Sequence, residues 1–299
     1  MRFYAAGKAD AIYAALHNFV PGNADDEKAA VIVSDFTAFG GVKLLLIFYF
    51  YAASAPPTTG PFAQFLNIDP IIDTTSTQSY AQLVGFPPSD HSTATLHLTS
   101  TPAAEIERGR SSASPSPGVI QSKHQRLANI PRSKLTRHQT FTIPYLEDAP
   151  QMYSEISDKF TSILANILIN PLRLTSQCSV DFQPFPSVIG KHSQERGGNA
   201  MGISGSDPDL ILLEIQCSWS NPNDDKVFKD ASKMLTDWLA VKVPEWTNGE
   251  QYYLPYLMND AAGDQNVTGT YRGYGQFKAL QAAMDPAGFF RNRGGGFVY

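Results

Sequence analysis

Only two cysteines, Cys178 and Cys217, occur in 299 residues. That excludes a disulfide-rich scaffold and a CxxC metal pair. The two either pair or sit as buried thiols; the second is expected, because free cysteine is among the most buried residue types. Long apolar runs are missing too. The longest, Val42–Tyr51 (VKLLLIFYFY), is far too short to span a bilayer as a helix, so no membrane partner is expected. The amino terminus, MRFYAAGKADAIYAALHNF, lacks an apolar stretch followed by a small-residue cleavage site. The lone sequon Asn266-Val267-Thr268 is weak evidence of secretion. Positive charge is in deficit, with 23 Lys and Arg against 28 Asp and Glu and a net charge of −5. Nucleic acid is therefore not the expected partner, since phosphate binding draws on clustered Lys and Arg. The chain has no GxGxxG, no GxxxxGK[ST] and no GxSxG, which removes the sequence support for dinucleotide, phosphate-loop and hydrolase readings.

What is present reads as globular: 42% hydrophobic, 11% aromatic and 17% charged residues in a chain long enough to bury a sizeable core. Ile12, Leu16 and Phe19 fall at helical spacing in Ala9–Val20, with Pro21-Gly22 as the stop. Residues 29–36 are rich in β-branched side chains. Val42–Tyr51 reads as a buried central strand, and residues 140–143, 178–185 and 210–219 as further strands. Glu214 interrupts the last of these, an otherwise apolar run. A helix is expected over 148–168 with Met152, Ile156, Phe160, Ile163 and Ile167 on one face. Another is expected over 223–241, with Asp224 and Asp225 at its positive end and Pro244 ending it. Strands in runs with helices between some of them predict an α+β fold, an antiparallel sheet covered by helices on one side.

Residues 87–140 differ from their surroundings. They hold no Phe, Tyr or Trp, seven Lys and Arg against three Asp and Glu, and four of the six histidines, His91, His97, His124 and His138. So little apolar material does not offset ordering entropy. The segment reads as a regulatory or nucleic-acid-binding loop, a disordered surface insertion, or non-coding sequence translated through a retained intron. The last explains most, because residues 80–85 and 141–144 look like parts of one domain. Its histidines are taken as unrelated to metal binding, and no metal site is expected. His17 and His192 read as structural or surface residues, having no partner at metal-ligand spacing.

Four linked segments carry a resemblance. They are Asp181-Phe182-Gln183-Pro184-Phe185-Pro186, the turn Gly197-Gly198-Asn199-Ala200-Met201-Gly202, a strand ending at Trp219 before the pair Asp224-Asp225, and the tail Gln251–Tyr299. The tail crowds tyrosines and Asn259-Asp260 ahead of a short helix and closes with Asp285-Pro286-Ala287-Gly288-Phe289-Phe290. In order and spacing these are similar to the berberine-bridge-enzyme-like branch of FAD-linked oxidoreductases, in the vanillyl-alcohol oxidase / PCMH-type flavoprotein superfamily. The match covers roughly 178–299; residues 1–80 fit loosely as the start of the substrate domain.

The resemblance implies a substrate-domain-like region over 1–250, interrupted by 87–140, and a carboxy-terminal segment over 251–299 that packs on the flavin domain. That domain, with its pyrophosphate loop and covalent attachment residue, is not found, so the chain resembles an amino-terminally truncated member. The implied reaction is hydride transfer from a hydroxyl- or amine-bearing small molecule to FAD, with molecular oxygen as acceptor. Tyr256 is the candidate base, a phenol of lowered pKa, and Asp260 its tuning partner. Asn259 and Tyr253 are candidate flavin contacts, with Tyr252 available for stacking. Gln183 and Asn199 are candidate substrate contacts. Phe289 and Phe290 are expected to anchor the tail by burial. The competing reading is a non-catalytic remnant α+β domain unable to hold FAD.

Overall fold

A computed structural model describes residues 1–38, 40–77, 135–293 and 299. Among them, β1 (Arg2–Ala5), β2 (Ala29–Ala38), β3 (Val42–Tyr51), β4 (Ile72–Asp73), β5 (Leu135–Pro144), β6 (Gln177–Phe185) and β7 (Leu210–Trp219) form one sheet. Its order is β4-β1-β3-β2-β6-β7-β5, and every neighbouring pair is antiparallel. The fold is α+β, as expected. The segment 87–134 of the expected insert lies outside the described residues.

Alternation along each strand sends one set of side chains to a helix-covered face. Val31, Val33, Leu45, Ile47, Val180, Phe182, Leu213, Ile215 and Ile143 make this core with α1 (Ala9–Gly22), α3 (Met152–Leu168) and α5 (Asp225–Trp246). A short α2 (Ala63–Leu66) adds Phe65, and α4 (Ser187–Glu195) follows β6. On α3 the buried stripe is Met152, Ile156, Phe160, Leu164 and Leu168, a strict four-residue spacing, so Ile163 and Ile167 sit on the flank. Ser157 is buried on the same helix because it donates to Asp35, which also accepts from the Tyr13 hydroxyl at 2.7 Å and pairs with Lys43 Nζ at 3.0 Å.

Several local expectations need correction. Cys178 and Cys217 are not separate thiols: they are register partners on β6 and β7 with Cα atoms 4.1 Å apart, and they form a disulfide. Central antiparallel strands bring two alternating core positions face to face, which linear spacing does not reveal. Helix α5 does not stop at Pro244 but runs on to Trp246. Trp246 docks edge-on against Trp238 and donates to Glu155, and the stop comes from Asn248 and Gly249, both at positive φ. Strand β5 begins at Leu135, five residues before the expected 140, so His138 belongs to the sheet. Strand β3 is flanked on both sides as expected, but its Leu44, Leu46 and Phe48 are only half-buried.

The tail runs along the outer edge of β5. The Gln265 side chain accepts from the Thr140 N–H at 3.0 Å and donates to its carbonyl at 2.8 Å, pairing the edge as another strand would. Thr142 donates to the Pro255 carbonyl at 2.6 Å. Beyond it lie α6 (Tyr274–Met284) and α7 (Phe289–Arg293). Asp285 caps α7, accepting from the Phe289 N–H at 2.7 Å. Phe289 is 56% exposed, so it does not anchor the tail by burial as expected; the side chain of Phe290 lies outside the described residues.

Candidate functional site

The face of the sheet turned away from the helices carries the polar groups. One line of register partners crosses six strands: Phe3, Leu46, Ser34, Asp181, Glu214 and Thr140. The next line holds Leu44, Phe36, Ser179, Gln216 and His138. The β3–β2 side of this face is apolar and half-open, while the β6–β7–β5 side is acidic.

At the acidic end, the His138 ring Nδ1 lies 2.6 Å from Glu214 Oε1. Asp181, directly across from Glu214, is 8% exposed; one oxygen accepts weakly from Ser179 at 3.3 Å, and Oδ1 has no hydrogen-bond partner. Burial, followed by repulsion from Glu214, holds the Asp181 carboxyl far above the usual carboxylate range. The 3-10 turn Met258–Asp260 brings Asp260 into the same field, and burial with Glu214 beside it pushes that carboxyl up to about 6. The hydrogen bond to Glu214 raises the His138 imidazole, against the opposing effect of burial. Titratable groups whose surroundings shift them toward neutrality are the raw material of proton transfer.

The candidates named from sequence separate into two groups. Asp260 joins the acidic cluster, and Gln183 lies two residues from Asp181 on the same face, opposite Leu212. Tyr253 and Asn199 meet elsewhere. The Tyr253 hydroxyl donates to the Met201 carbonyl and accepts from the Arg272 N–H at 2.9 Å. The Arg272 guanidinium lies 3.7 Å from the Tyr253 ring centroid and makes two bonds to Asp207, of 2.8 and 2.5 Å. Asn199 accepts from the Gly202 N–H at 3.0 Å and donates to Ser193, closing the glycine turn. Gly197 and Gly198 have φ of +100° and +86°, values a side chain disfavours, with open space around them. This is a latch between loop and tail.

Tyr256 packs against Phe141, ring centroids 5.7 Å apart, and burial raises its phenol. That is opposite to the lowered value expected of a base. Tyr252 and Tyr253 are raised as well, again by burial first. Asn259 is exposed. His17 is structural, 3.0 Å from the Glu147 carbonyl, and His192 pairs with Glu27 and Glu195 at the surface. Sequence reasoning missed Asp181, Glu214 and His138 as a site. The available signals were a carboxylate inside each of two apolar strands and a histidine two residues before a third.

The described residues fit an FAD only in part. A half-open apolar strip beside polar groups suits one face of a ring system. A pyrophosphate needs N–H donors and cations, and the polar half of this face presents Asp181, Glu214 and Asp260 instead. Lys43 of β3 and Arg137 of β5 are engaged elsewhere, Lys43 by Asp35 and Ser157 and Arg137 by Asp264 and Gln139. Cavities of about 630 Å³ around Asp25, Tyr51 and Pro57, and of about 460 Å³ around Leu146, Trp246 and Tyr252, lie elsewhere. Among the described residues no helix is long and apolar enough to cross a membrane, and no group of three or more His, Cys, Asp or Glu is placed to hold a metal ion.

No family model matches the sequence. The chain is 32% identical over 130 residues to an FAD-linked oxidoreductase of Arthroderma benhamiae, covering 41% of this chain and 25% of that protein. It is 32% identical over 132 residues to an FAD-dependent monooxygenase of Arthrobotrys oligospora, again 25% of that protein. A third, from Aspergillus calidoustus, also an FAD-dependent monooxygenase, is 31% identical over 120 residues and 22% of its own length. Among solved structures, 6-hydroxy-D-nicotine oxidase from Arthrobacter nicotinovorans superposes with a TM-score of 0.52 at 10% identity, over 96% of this chain and 51% of that one. The matched segment is thus about a quarter of each curated relative's length, and the solved structure establishes a likeness of fold. Over that segment the chain is similar in sequence to one part of the FAD-linked oxidoreductases, and over nearly all of its length it is similar in fold to 6-hydroxy-D-nicotine oxidase.

Proposed function

We propose that this chain forms the substrate-side wall of an FAD-linked oxidoreductase that oxidises a hydroxyl- or amine-bearing small molecule, with molecular oxygen as final acceptor. In that reading residues 1–250 are the substrate-domain-like region, with β5 and its His138 part of that region rather than of the interruption, and 251–299 the segment directed toward a flavin domain. Flavin, when bound, supplies the hydride acceptor. This chain's own part is to position substrate and handle its proton.

The His138–Glu214–Asp181 line on the open face carries the reading. Proton acceptance falls to the carboxylates rather than to Tyr256, because burial moves Asp181 toward neutral pH and moves the phenol away from it. Asp181 Oδ1, without a hydrogen-bond partner, is the atom that takes a proton from a substrate hydroxyl or amine. Glu214 is held in place by His138, and Asp260 adds to the repulsion that raises the Asp181 carboxyl. Gln183 offers a donor and an acceptor on the same face. Tyr253 and Asn199 serve indirectly, by latching the tail across the loop 199–202.

The test is a titration of the purified chain with riboflavin, which lacks the pyrophosphate, followed by amide chemical shifts. Shifts centred on Ser34, Asp181, Gln183 and Glu214 support the reading. No perturbation of this face at saturating riboflavin favours the alternative, a non-catalytic remnant domain unable to hold FAD. FAD is expected to bind no tighter than riboflavin, because carboxylates meet its phosphates. Protein recovered from gel filtration with FAD is expected to be colourless.

A further inference from the structure

The open face sorts apolar from acidic along one line, and the acidic end holds an excess of negative charge. Leu46, Leu44 and Phe36 are half-exposed on β3 and β2, and two strands further on lie Asp181 and Glu214 as direct partners. His138 is the one cationic side chain in these two lines, and it is already engaged by Glu214. Asp181 is more than nine-tenths buried, faces Glu214, and leaves Oδ1 without a hydrogen-bond partner. A buried carboxylate oxygen opposite a second carboxylate lacks a donor, and ideally a positively charged one. A neutral hydroxyl supplies one donor and no charge; an ammonium supplies up to three donors and the missing charge.

We propose that this face selects a protonated amine carried on an apolar body, its nitrogen donating to Asp181 Oδ1 and Glu214 and its body lying on Leu44, Leu46 and Phe36. This rests on the substrate-side wall reading and narrows it, from a hydroxyl- or amine-bearing compound to an amine. An arriving cation relieves the repulsion between the two carboxylates, so binding lowers the proton affinity of Asp181 and releases a proton. The titrating groups that face this spot are Asp181, Glu214, His138 and Asp260; the neighbouring Ser34 and Ser179 are neutral.

Phenethylamine and 2-phenylethanol share an apolar body and differ in charge, so titrating each into the full chain isolates the effect. At pH 7.5 the amine is expected to bind about tenfold tighter, with amide shifts centred on Asp181 and Glu214. Its binding heat is expected to differ between phosphate and Tris buffers, reporting the released proton. Asp181→Asn is expected to bring the affinities of amine and alcohol together, removing the amine's advantage. The advantage also shrinks at pH 5, where Asp260 and Asp181 are protonated. Equal affinities for amine and alcohol, or amine shifts centred away from this face, overturn the proposal. If riboflavin perturbs the face while amine and alcohol bind equally, amine selectivity alone fails. If riboflavin also leaves the face unperturbed, the wall reading fails with it.

Discussion

Replacing Asp181 with Asn is expected to stabilise the protein at alkaline pH and to have little effect in acid. Asp181 and Glu214 are register partners on adjacent strands, which puts the carboxylates on the order of 6 Å apart. At an effective dielectric of about 20 to 40, two full charges at that separation repel by roughly 1–3 kcal/mol. A buried acceptor without a donor costs about 1–3 kcal/mol by a separate route, so the two arguments agree in size. The pKa of Asp181 is raised on folding, so below its unfolded value of about 3.9 its full favourable contribution is present. That contribution is lost as pH rises through the folded-state value, where the ionised group faces Glu214. Asn mimics the protonated carboxyl and supplies an N–H donor at every pH. Urea unfolding followed by tryptophan fluorescence should therefore give Asp181→Asn about 1–3 kcal/mol more stability at pH 8, and no gain near pH 3.5, at unchanged m-value. Loss of stability at pH 8 would refute the reasoning, since it would mean that the ionised carboxylate is held by a partner. A gain at pH 8 with lost amine binding would be the ordinary opposition between stability and a functional site.

Two further outcomes follow from the geometry. The Cys178–Cys217 bridge closes a loop with a sequence separation of 39. Loop-closure entropy for that length is worth about 4 kcal/mol, so the double change to Ala should lower the urea midpoint markedly; an unchanged midpoint would show that β6 and β7 need no covalent tie. Arg272→Ala should speed amide hydrogen exchange in 251–272 and at Gly202, because it removes both the stack on Tyr253 and the pairing with Asp207. Arg272→Lys should fail to restore protection, since an ammonium matches neither the stack nor the two-pronged bond; full restoration would reduce the latch to a simple charge pair.

Local pattern made much of the architecture legible. Strands β3 and β7 appear at Val42–Tyr51 and Leu210–Trp219, the bounds read from their apolar runs. The stripe from Met152 to Phe160 and the paired aspartates at the start of α5 announced their helices, because side-chain period and end charge are properties of adjacent residues. The order of motifs from Asp181 to the tail announced the relationship to FAD-linked oxidoreductases for the same reason. Whatever depended on partners distant in sequence was not legible. Tyr256 and Asn259 looked like pocket residues as a string, yet one turned its ring onto Phe141 and the other to solvent. Asp181, Glu214 and His138 looked unrelated, 33 and 76 residues apart in the pairs Asp181–Glu214 and His138–Glu214, until β6, β7 and β5 lined up in register.

By itself, then, the sequence determined the α+β class, the positions of most strands and helices, and the relationship. Each of these is set by short-range periodicity or by motif order along the chain. The tertiary structure alone decided that the cysteines join, that Tyr253 and Arg272 form a latch, and which carboxylates share a face. Antiparallel register converts separation along the chain into a few ångströms across a sheet. Burial then raises Asp181 far above an ordinary carboxylate, a consequence of surroundings that no single residue encodes.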